Sequence, residues 1–285
     1  MTVIFDGIAS GMLLFLISVG LSVTLGLMNF VNLAHGAFAM FGGYVFVVLL
    51  NRCGVPFLAA LPLVALASAL AGVVLERTLY RRLYAATHLD QVLFSIGLVF
   101  MSISTAHFFF GAQQQPMELP GFLKGQITLP GLDIGIYRLF LVVLGLSLAA
   151  LLQGMVTHTG FGARLRAAVD NPRAARGLGI DVDRVFVLTF ALGSALAGLG
   201  GALGVDMLGL DPGFPVKYIV YFLIVVAVGG SGNIKGSLIA SLILGVSDVA
   251  GKYYLPQVGA FVIYAVMVVM LVFRPQGLFG RSAAK

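Results

Sequence analysis

The sequence predicts an all-α protein that spans a membrane several times, and three observations carry this prediction. Hydrophobic residues make up 60% of the 285 residues and charged residues only 10%, whereas soluble domains carry about 25% charged residues. The mean hydropathy is +1.05. Apolar stretches of nearly membrane-spanning length recur along the whole chain. Because backbone polar groups must be satisfied inside a bilayer, repeated apolar stretches indicate a polytopic helical membrane protein.

The apolar stretches predict eight or nine transmembrane helices within a single domain, residues 1–285. Several stretches are shorter than the roughly 20 residues that a straight span needs, so we expect some helices to be broken or re-entrant. If the segment from Asn29 to Gly36 is re-entrant, the count is eight; otherwise it is nine. The stretches lie near residues 9–27, 36–50, 57–75, 92–110, 138–156, 184–204, 216–229, 237–250 and 256–273.

Basic residues predict the orientation of these helices. Arginine and lysine are concentrated in residues 76–90, in residues 157–184, at Lys235 and in the tail after residue 273. Because cytoplasmic loops carry an excess of Lys and Arg, we assign these segments to the cytoplasm. The C-terminus is then cytoplasmic and residues 111–137 form an external loop. Nine helices would place the N-terminus outside, and eight would place it inside. The net charge of +6 reflects this bias rather than nucleic-acid binding.

The most polar block of the chain is residues 164–179, RLRAAVDNPRAARGLG. Its alanines favour helix, while Pro172 and the glycines that follow break it. We therefore predict two short helices that lie across the cytoplasmic face, within a segment of about residues 160–182. Such a block fits a docking element for a cytoplasmic partner, and the alternative is a solvated loop. The candidate docking residues are Arg164, Arg166, Asp170, Arg173, Arg176 and Gly179.

A second polar group precedes the apolar, glycine-rich stretch that begins near residue 36. It consists of Asn29, Asn32, His35 and the adjoining Gly36. Asn32 and His35 share a face if they lie on a helix. Polar side chains at membrane depth usually face a cavity or a partner group, so these residues are candidates for a translocation pathway. The alternative is a helix cap, with His35 satisfied by a neighbouring carbonyl group.

Glycine and other small residues repeat within the apolar stretch 184–204. Gly193, Ala197 and Gly201 follow one another at four-residue spacing. This spacing lets helix backbones approach closely in lipid, and it predicts a helix-packing face.

Several chemical functions are disfavoured by the sequence. Cys53 is the only cysteine, so an internal disulfide or a multi-cysteine metal site is excluded. The segment VGGSGNIKGS lacks the lysine that follows the second glycine of a phosphate-binding loop, so no ATPase is expected in this chain. No catalytic triad, metal site or cofactor is predicted. Acidic residues fall at the ends of the predicted helices, with Asp206 and Asp248 the nearest exceptions, which disfavours ion-coupled transport.

Taken together, several segments resemble one transporter family. NFVNLAHGAFAMFGGY, TGFGARLRAAVDNPRAARGLGIDVDRVFVLTFALGSALAGLGGALG, VVAVGGSGNIKGSLIASLILG and VFRPQGLFG follow one another in the chain. In this order they are similar to the H-type permease subunit of bacterial branched-chain amino acid ABC importers. The resemblance covers nearly the whole chain, and residues 111–137 match least.

This resemblance implies a multi-pass permease of the bacterial inner membrane that is not itself an enzyme. Its implied partners are a second related permease, two cytoplasmic ATP-binding subunits and a periplasmic substrate-binding protein. Residues 164–179 would then seat in a cleft of one ATPase, and Asn29, Asn32 and His35 would lie near the central pathway. Alternatives are a permease for urea or short amides and, from another class, an ion-coupled secondary transporter.

Overall fold

The computed structural model describes residues 1–28, 30, 32–84, 86–129 and 132–279, and within these it contains eleven α-helices. Two short 3-10 segments, Tyr80–Leu83 and Gly121–Leu123, join some of them. The helices are α1 Thr2–Met28, α2 His35–Asn51, α3 Phe57–Thr78, α4 His88–Phe110, α5 Ile136–His158, α6 Gly160–Asp170, α7 Pro172–Gly177, α8 Val182–Leu208, α9 Phe214–Gly229, α10 Ile234–Tyr254 and α11 Gly259–Phe273.

Nine of these helices coincide with the nine apolar stretches of the sequence. Six are long and apolar enough to cross a membrane: α1, α3, α4, α5, α8 and α10. Three apolar helices are shorter, namely α2, α9 and α11, with 17, 16 and 15 residues. The all-α membrane class is therefore confirmed, and the helix count agrees with the predicted eight or nine.

Helices α1 and α8 form the centre of the bundle. In the most apolar 18-residue stretch of each helix, 89% of the residues of α1 and 72% of those of α8 are buried. The corresponding shares for α3, α4 and α5 are only 28%, 17% and 22%. Helices α3, α4 and α5 therefore lie on the outside of the bundle.

Glycine allows the central helices to pack closely. A Cβ atom added at Gly245 of α10 would lie 2.4 Å from the backbone nitrogen of Gly11 in α1. A Cβ atom at Gly200 of α8 would lie 2.9 Å from the backbone nitrogen of Ile17 in α1. No side chain fits at these two positions unless the backbones separate.

The two ends of the bundle can be told apart by contacts of α1 and α5. Asp6, near the start of α1, forms a 2.5 Å ion pair with Arg138, near the start of α5. Helix α5 has 23 residues, so its ends are about 34 Å apart at 1.5 Å per residue. Helices α6 and α7 follow its other end. The N-terminus therefore lies at the end of the bundle opposite to α6 and α7.

The loop between α4 and α5 contains a feature that the sequence did not predict. Strands β1, Gln126–Leu129, and β2, Leu132–Gly135, form an antiparallel hairpin in which Gln126 pairs with Gly135 and Thr128 with Asp133. The hairpin lies at the same end of the bundle as the N-terminus, because Gly135 directly precedes α5.

Candidate functional site

The polar group predicted for the pathway lies at and just before the start of α2. His35 is buried, and its Nε2 lies 2.9 Å from the carbonyl oxygen of Ile17. A carbonyl oxygen only accepts, so Nε2 carries the proton and donates it. Ile17 is eleven residues before Met28, the last residue of α1, or about 16 Å along the helix. The chain therefore turns back along α1 before α2 begins.

Asn32 is buried and joins two parts of the chain. Its Oδ1 accepts hydrogen bonds from the backbone N–H of Ala34 and from the hydroxyl of Tyr80, both at 3.0 Å. Its Nδ2 has no hydrogen-bond partner among the described residues. The contact of His35 with a carbonyl group agrees with the helix-cap alternative, but the N-cap residue of α2 is Ala34 and no side chain caps this helix. Their role in a pathway remains a prediction, and Asn29 lies outside the described residues.

Gly36 lies where α2 meets α9. A Cβ atom added there would lie 3.1 Å from the Cα atom of Pro215 and 3.4 Å from the ring of Phe222. On the outer side of α2, an apolar groove of about 440 Å³ runs between α2 and α4, and its walls include Phe41, Tyr44 and Thr105. Helix α2 thus carries polar groups at its start and an apolar surface along its length.

The arginine-rich segment forms the two predicted short helices, α6 and α7. Thr159 caps α6 through its side chain, which accepts from Gly162 N at 3.3 Å. Asn171 caps α7 by accepting from Ala174 N at 3.0 Å, and Pro172 occupies the first turn, where its missing N–H costs nothing. The chain leaves the segment through Gly179, whose φ of +80° favours glycine.

One side of this segment is packed and the other is exposed. A small apolar cluster of Leu165, Ala168, Ala175, Val182 and Val185 fixes it to α8. The six predicted docking residues are exposed: Arg164, Arg166, Asp170, Arg173, Arg176 and Gly179. Leu178, which the sequence analysis did not single out, is 80% exposed beside them. An exposed surface of arginine and leucine suits contact with a protein partner.

The exposed arginines of the segment differ in their contacts. Arg166 donates to the carbonyl oxygen of Val156, and Arg176 Nη2 lies 3.2 Å from Asp183 Oδ1. Arg164 and Arg173 make no ion pair with the described residues. These two side chains are therefore the arginines most available to a partner.

The predicted packing face of α8 lies against α1 and α2. A Cβ atom at Gly193 would lie 3.2 Å from Gly20 O in α1, and one at Gly201 would lie 1.9 Å from Ala39 O in α2. Ala197 between them is fully buried. The three residues thus face two neighbouring helices rather than lipid.

Sequence analysis missed a buried group between α3 and α4. Glu76 is 1% exposed, and its Oε1 accepts a 2.8 Å hydrogen bond from the hydroxyl of Tyr84. Tyr80, which lies between these two residues in the chain, has a fully buried side chain. The four-residue spacing of Glu76, Tyr80 and Tyr84 is the signal that could have indicated one shared face.

Both tyrosines remain hydrogen-bond donors at neutral pH. Burial raises the pKa of Tyr80 above its ordinary value. Burial raises the pKa of Tyr84 as well, and the hydrogen bond to Glu76 adds to this effect. Loss of a proton is therefore disfavoured for both phenols, and their hydrogen bonds to Asn32 and Glu76 persist throughout the physiological pH range.

Two carboxylates are buried, which bears on the prediction against ion-coupled transport. Besides Glu76, Asp248 of α10 is 6% exposed, and its Oδ2 is paired with Lys252 Nζ at 2.6 Å. Asp206, the other exception, is exposed. Asp248, named from the sequence as one of the two nearest exceptions, is thus buried, and Glu76 is buried although it lies at the end of α3. The pairing of Asp248 with Lys252 and of Glu76 with Tyr84 gives each a structural role that needs no transported ion.

Apolar helices around a tightly packed centre, with a polar group between them, define a polytopic membrane protein. Comparison with known proteins identifies its family. The family described as "Branched-chain amino acid transport system / permease component" matches residues 3–271, and the chain belongs to it. The predicted resemblance and the function as a non-enzymatic permease component are thereby confirmed.

Individual relatives are similar over most of their length. The high-affinity branched-chain amino acid transport system permease protein BraD of Pseudomonas aeruginosa is 26% identical, over 97% of this chain and 94% of that protein. The corresponding LivH of Salmonella typhimurium is 28% identical, over 97% and 94%. LivM of the same organism is 25% identical, over 94% of this chain and 68% of that protein. No solved structure was found to match the chain.

Proposed function

We propose that this chain is one of two permease subunits of an ATP-driven importer, and that its substrates are branched-chain or related small neutral amino acids. The exposed arginine-rich surface of α6 and α7 carries this proposal. The surface is packed against α8 through its apolar cluster, and its Arg164 and Arg173 make no ion pair with the described residues, so it suits contact with acidic groups of a cytoplasmic ATPase.

The substrate class is supported by the character of α2. The groove beside it is lined mostly by apolar side chains, while Asn32 and His35 at the start of α2 supply polar groups. Such a surface suits solutes with an aliphatic side chain and without net charge. A permease for urea or short amides remains the alternative, since these solutes also lack net charge.

The proposed orientation follows from the positions of the basic residues. If the end with α6 and α7 faces the cytoplasm, as its arginines favour, the N-terminus is outside, because Asp6 pairs with Arg138 at the opposite end. Nine crossings then place the C-terminus in the cytoplasm. This arrangement leaves the β1–β2 hairpin outside, where a periplasmic binding protein would deliver substrate.

The proposed partners are a second related permease, two ATP-binding subunits and a substrate-binding protein. That Salmonella typhimurium has both a LivH and a LivM with similarity to this chain supports a pair of different permeases. The inner membrane of a bacterium is the proposed location.

Purification from the native membrane followed by reconstitution tests the proposal. We expect two ATP-binding subunits and a second permease to co-purify, and proteoliposomes of this complex to take up radiolabelled leucine only with ATP and binding protein. Urea and acetamide in excess should not compete. ATP-independent uptake by this chain alone would instead establish a secondary transporter, and competition by amides would establish the alternative substrate class.

A further inference from the structure

A continuous set of contacts connects α7, in the arginine-rich segment, to the polar group at the start of α2. It begins at Asp183 in the first turn of α8. Arg176 of α7 lies 3.2 Å from Oδ1 of this carboxylate. Arg81 donates to its Oδ2 and belongs to Tyr80–Leu83, called the 3-10 segment below. One exposed ion pair is worth little. Here a single carboxylate holds two arginines from different segments, so the 3-10 segment is tied to α7.

The 3-10 segment is tied equally to the start of α2. Tyr80 directly precedes Arg81, and its hydroxyl donates to Asn32 Oδ1 at 3.0 Å. Its ring packs against those of Phe30, Phe94 and Phe190, with centroids 5.3, 5.3 and 4.7 Å away. A fully buried ring with three aromatic neighbours has little freedom of its own. Movement of the 3-10 segment must therefore move Asn32.

A second tyrosine makes the connecting segment rigid. Tyr84 donates to Glu76 across the 3-10 segment at 2.8 Å, and its ring contacts Phe30 and Phe186 at 5.9 Å each. The residues from Glu76 to Tyr84 are thereby held at both ends. A rigid element transmits displacement, whereas a flexible loop would absorb it.

Two buried polar atoms in this set of contacts lack a hydrogen-bond partner among the described residues. They are Glu76 Oε2 and Asn32 Nδ2. Unpaired buried polar atoms are costly, and in native proteins they call for an explanation. A change of conformation would explain them, because an atom that has no partner in this conformation can be paired in the other.

We propose that residues 76–84 relay displacement of α7 to the start of α2, with Tyr80 as the positioning residue that acts through Asn32. This inference rests on the proposed function, since it assumes that α7 receives the movement of an ATPase. It assigns a coupling role to residues outside both the candidate docking residues and the candidate pathway group.

The test is the number of ATP molecules hydrolysed per solute imported by the reconstituted complex. Tyr80→Phe removes only the hydroxyl and keeps the ring contacts. A net hydrogen bond shifts an equilibrium by about 2- to 10-fold, so we expect this ratio to rise by that factor. Tyr137→Phe is the matched control, because Tyr137 is also buried and donates to a backbone carbonyl, that of Leu203. It should lose similar stability and keep the ratio of the wild type.

A double variant distinguishes a relay from two separate structural defects. Asp183→Asn weakens both arginine contacts and should also raise the ratio. If both residues act on one relay, Tyr80→Phe combined with Asp183→Asn raises the ratio no further than the stronger single change. Equal ratios for Tyr80→Phe and Tyr137→Phe, or additive effects in the double variant, would overturn the relay.

The proposed function is judged separately with Arg173→Glu. If this variant loses ATP-dependent uptake while Tyr80→Phe keeps the wild-type ratio, the relay is wrong and the importer assignment stands. If uptake by the wild type needs no ATP, the importer assignment itself fails, and the relay fails with it.

Discussion

The packing of α8 against α2 gives the sharpest prediction about stability. A Cβ atom at Gly201 would lie 1.9 Å from the carbonyl oxygen of Ala39, 2.5 Å from its carbonyl carbon and 2.8 Å from its Cα atom. All three are backbone atoms, so a change of side-chain rotamer cannot relieve the contact. Gly201→Ala therefore requires α2 and α8 to separate by roughly 1.5 Å, if ordinary contact distances are to be restored.

The magnitude follows from measured costs of overpacking. Inserting a methyl group into a packed interior costs typically about 1–3 kcal/mol, and we expect the upper end because the backbone must move. The gain in helix propensity, about 1 kcal/mol for replacing glycine by alanine, offsets part of this cost and leaves about 2 kcal/mol. At about 2–4 °C per kcal/mol, the melting temperature should fall by roughly 4–8 °C.

Gly204→Ala is the matched control, one turn further along the same helix. Its Cβ atom would contact only the side chain of Leu208 in α8 itself, at 3.1 Å or more. We expect an unchanged or slightly higher melting temperature. The assay is thermal unfolding in mild detergent, followed by dye fluorescence and by the recovered monodisperse fraction. If Gly201→Ala melts within a degree or two of Gly204→Ala, the close approach of α2 and α8 is wrong.

Three further predictions concern the docking segment, the pathway group and the orientation. Arg173→Glu should abolish ATP-dependent uptake without reducing the amount of protein in the membrane, whereas Lys235→Glu, at an exposed position in the first turn of α10, should retain it; equal uptake by both would contradict docking at α7. Asn32→Ala should reduce uptake at least several-fold, about the effect of losing two hydrogen bonds, with a smaller loss of assembled complex; wild-type uptake would favour a purely capping role. Cys53, exposed in the turn after α2, should react with a membrane-impermeant maleimide in intact spheroplasts. The variant Leu178→Cys, made together with Cys53→Ser, should react only after permeabilisation. The reverse pattern would invert the proposed orientation.

Much of the fold follows from local properties of the sequence. Each apolar stretch is continuous in the sequence and can be recognised without any knowledge of its neighbours. All nine could therefore be placed as helices before any contact was known. The break between α6 and α7 was equally predictable, because Pro172 cannot continue a helix and Asn171 offers a cap. The arginine-rich surface was visible because charged residues in an apolar chain stand out without any knowledge of packing.

The sequence alone could not decide what each polar residue contacts. Glu76 resembles an ordinary helix-end carboxylate in the sequence, but its side chain is buried and accepts a hydrogen bond from the hydroxyl of Tyr84. A tyrosine at a helix end is typical of an interfacial anchor, but Tyr80 instead fills the centre of an aromatic cluster. These outcomes depend on residues from three or four distant segments, and periodicity within one segment carries no information about them.

The sequence by itself determined the class, the helices and the family of this protein, because the bilayer imposes hydrophobicity on each spanning segment separately. Only the tertiary structure decided that α1 and α8 form the centre, that the N-terminus lies opposite α6 and α7, and that Asp183 and Tyr80 connect α7 to Asn32. Burial, ion pairing and close backbone approach are properties of pairs of segments. They are fixed only when the helices pack together.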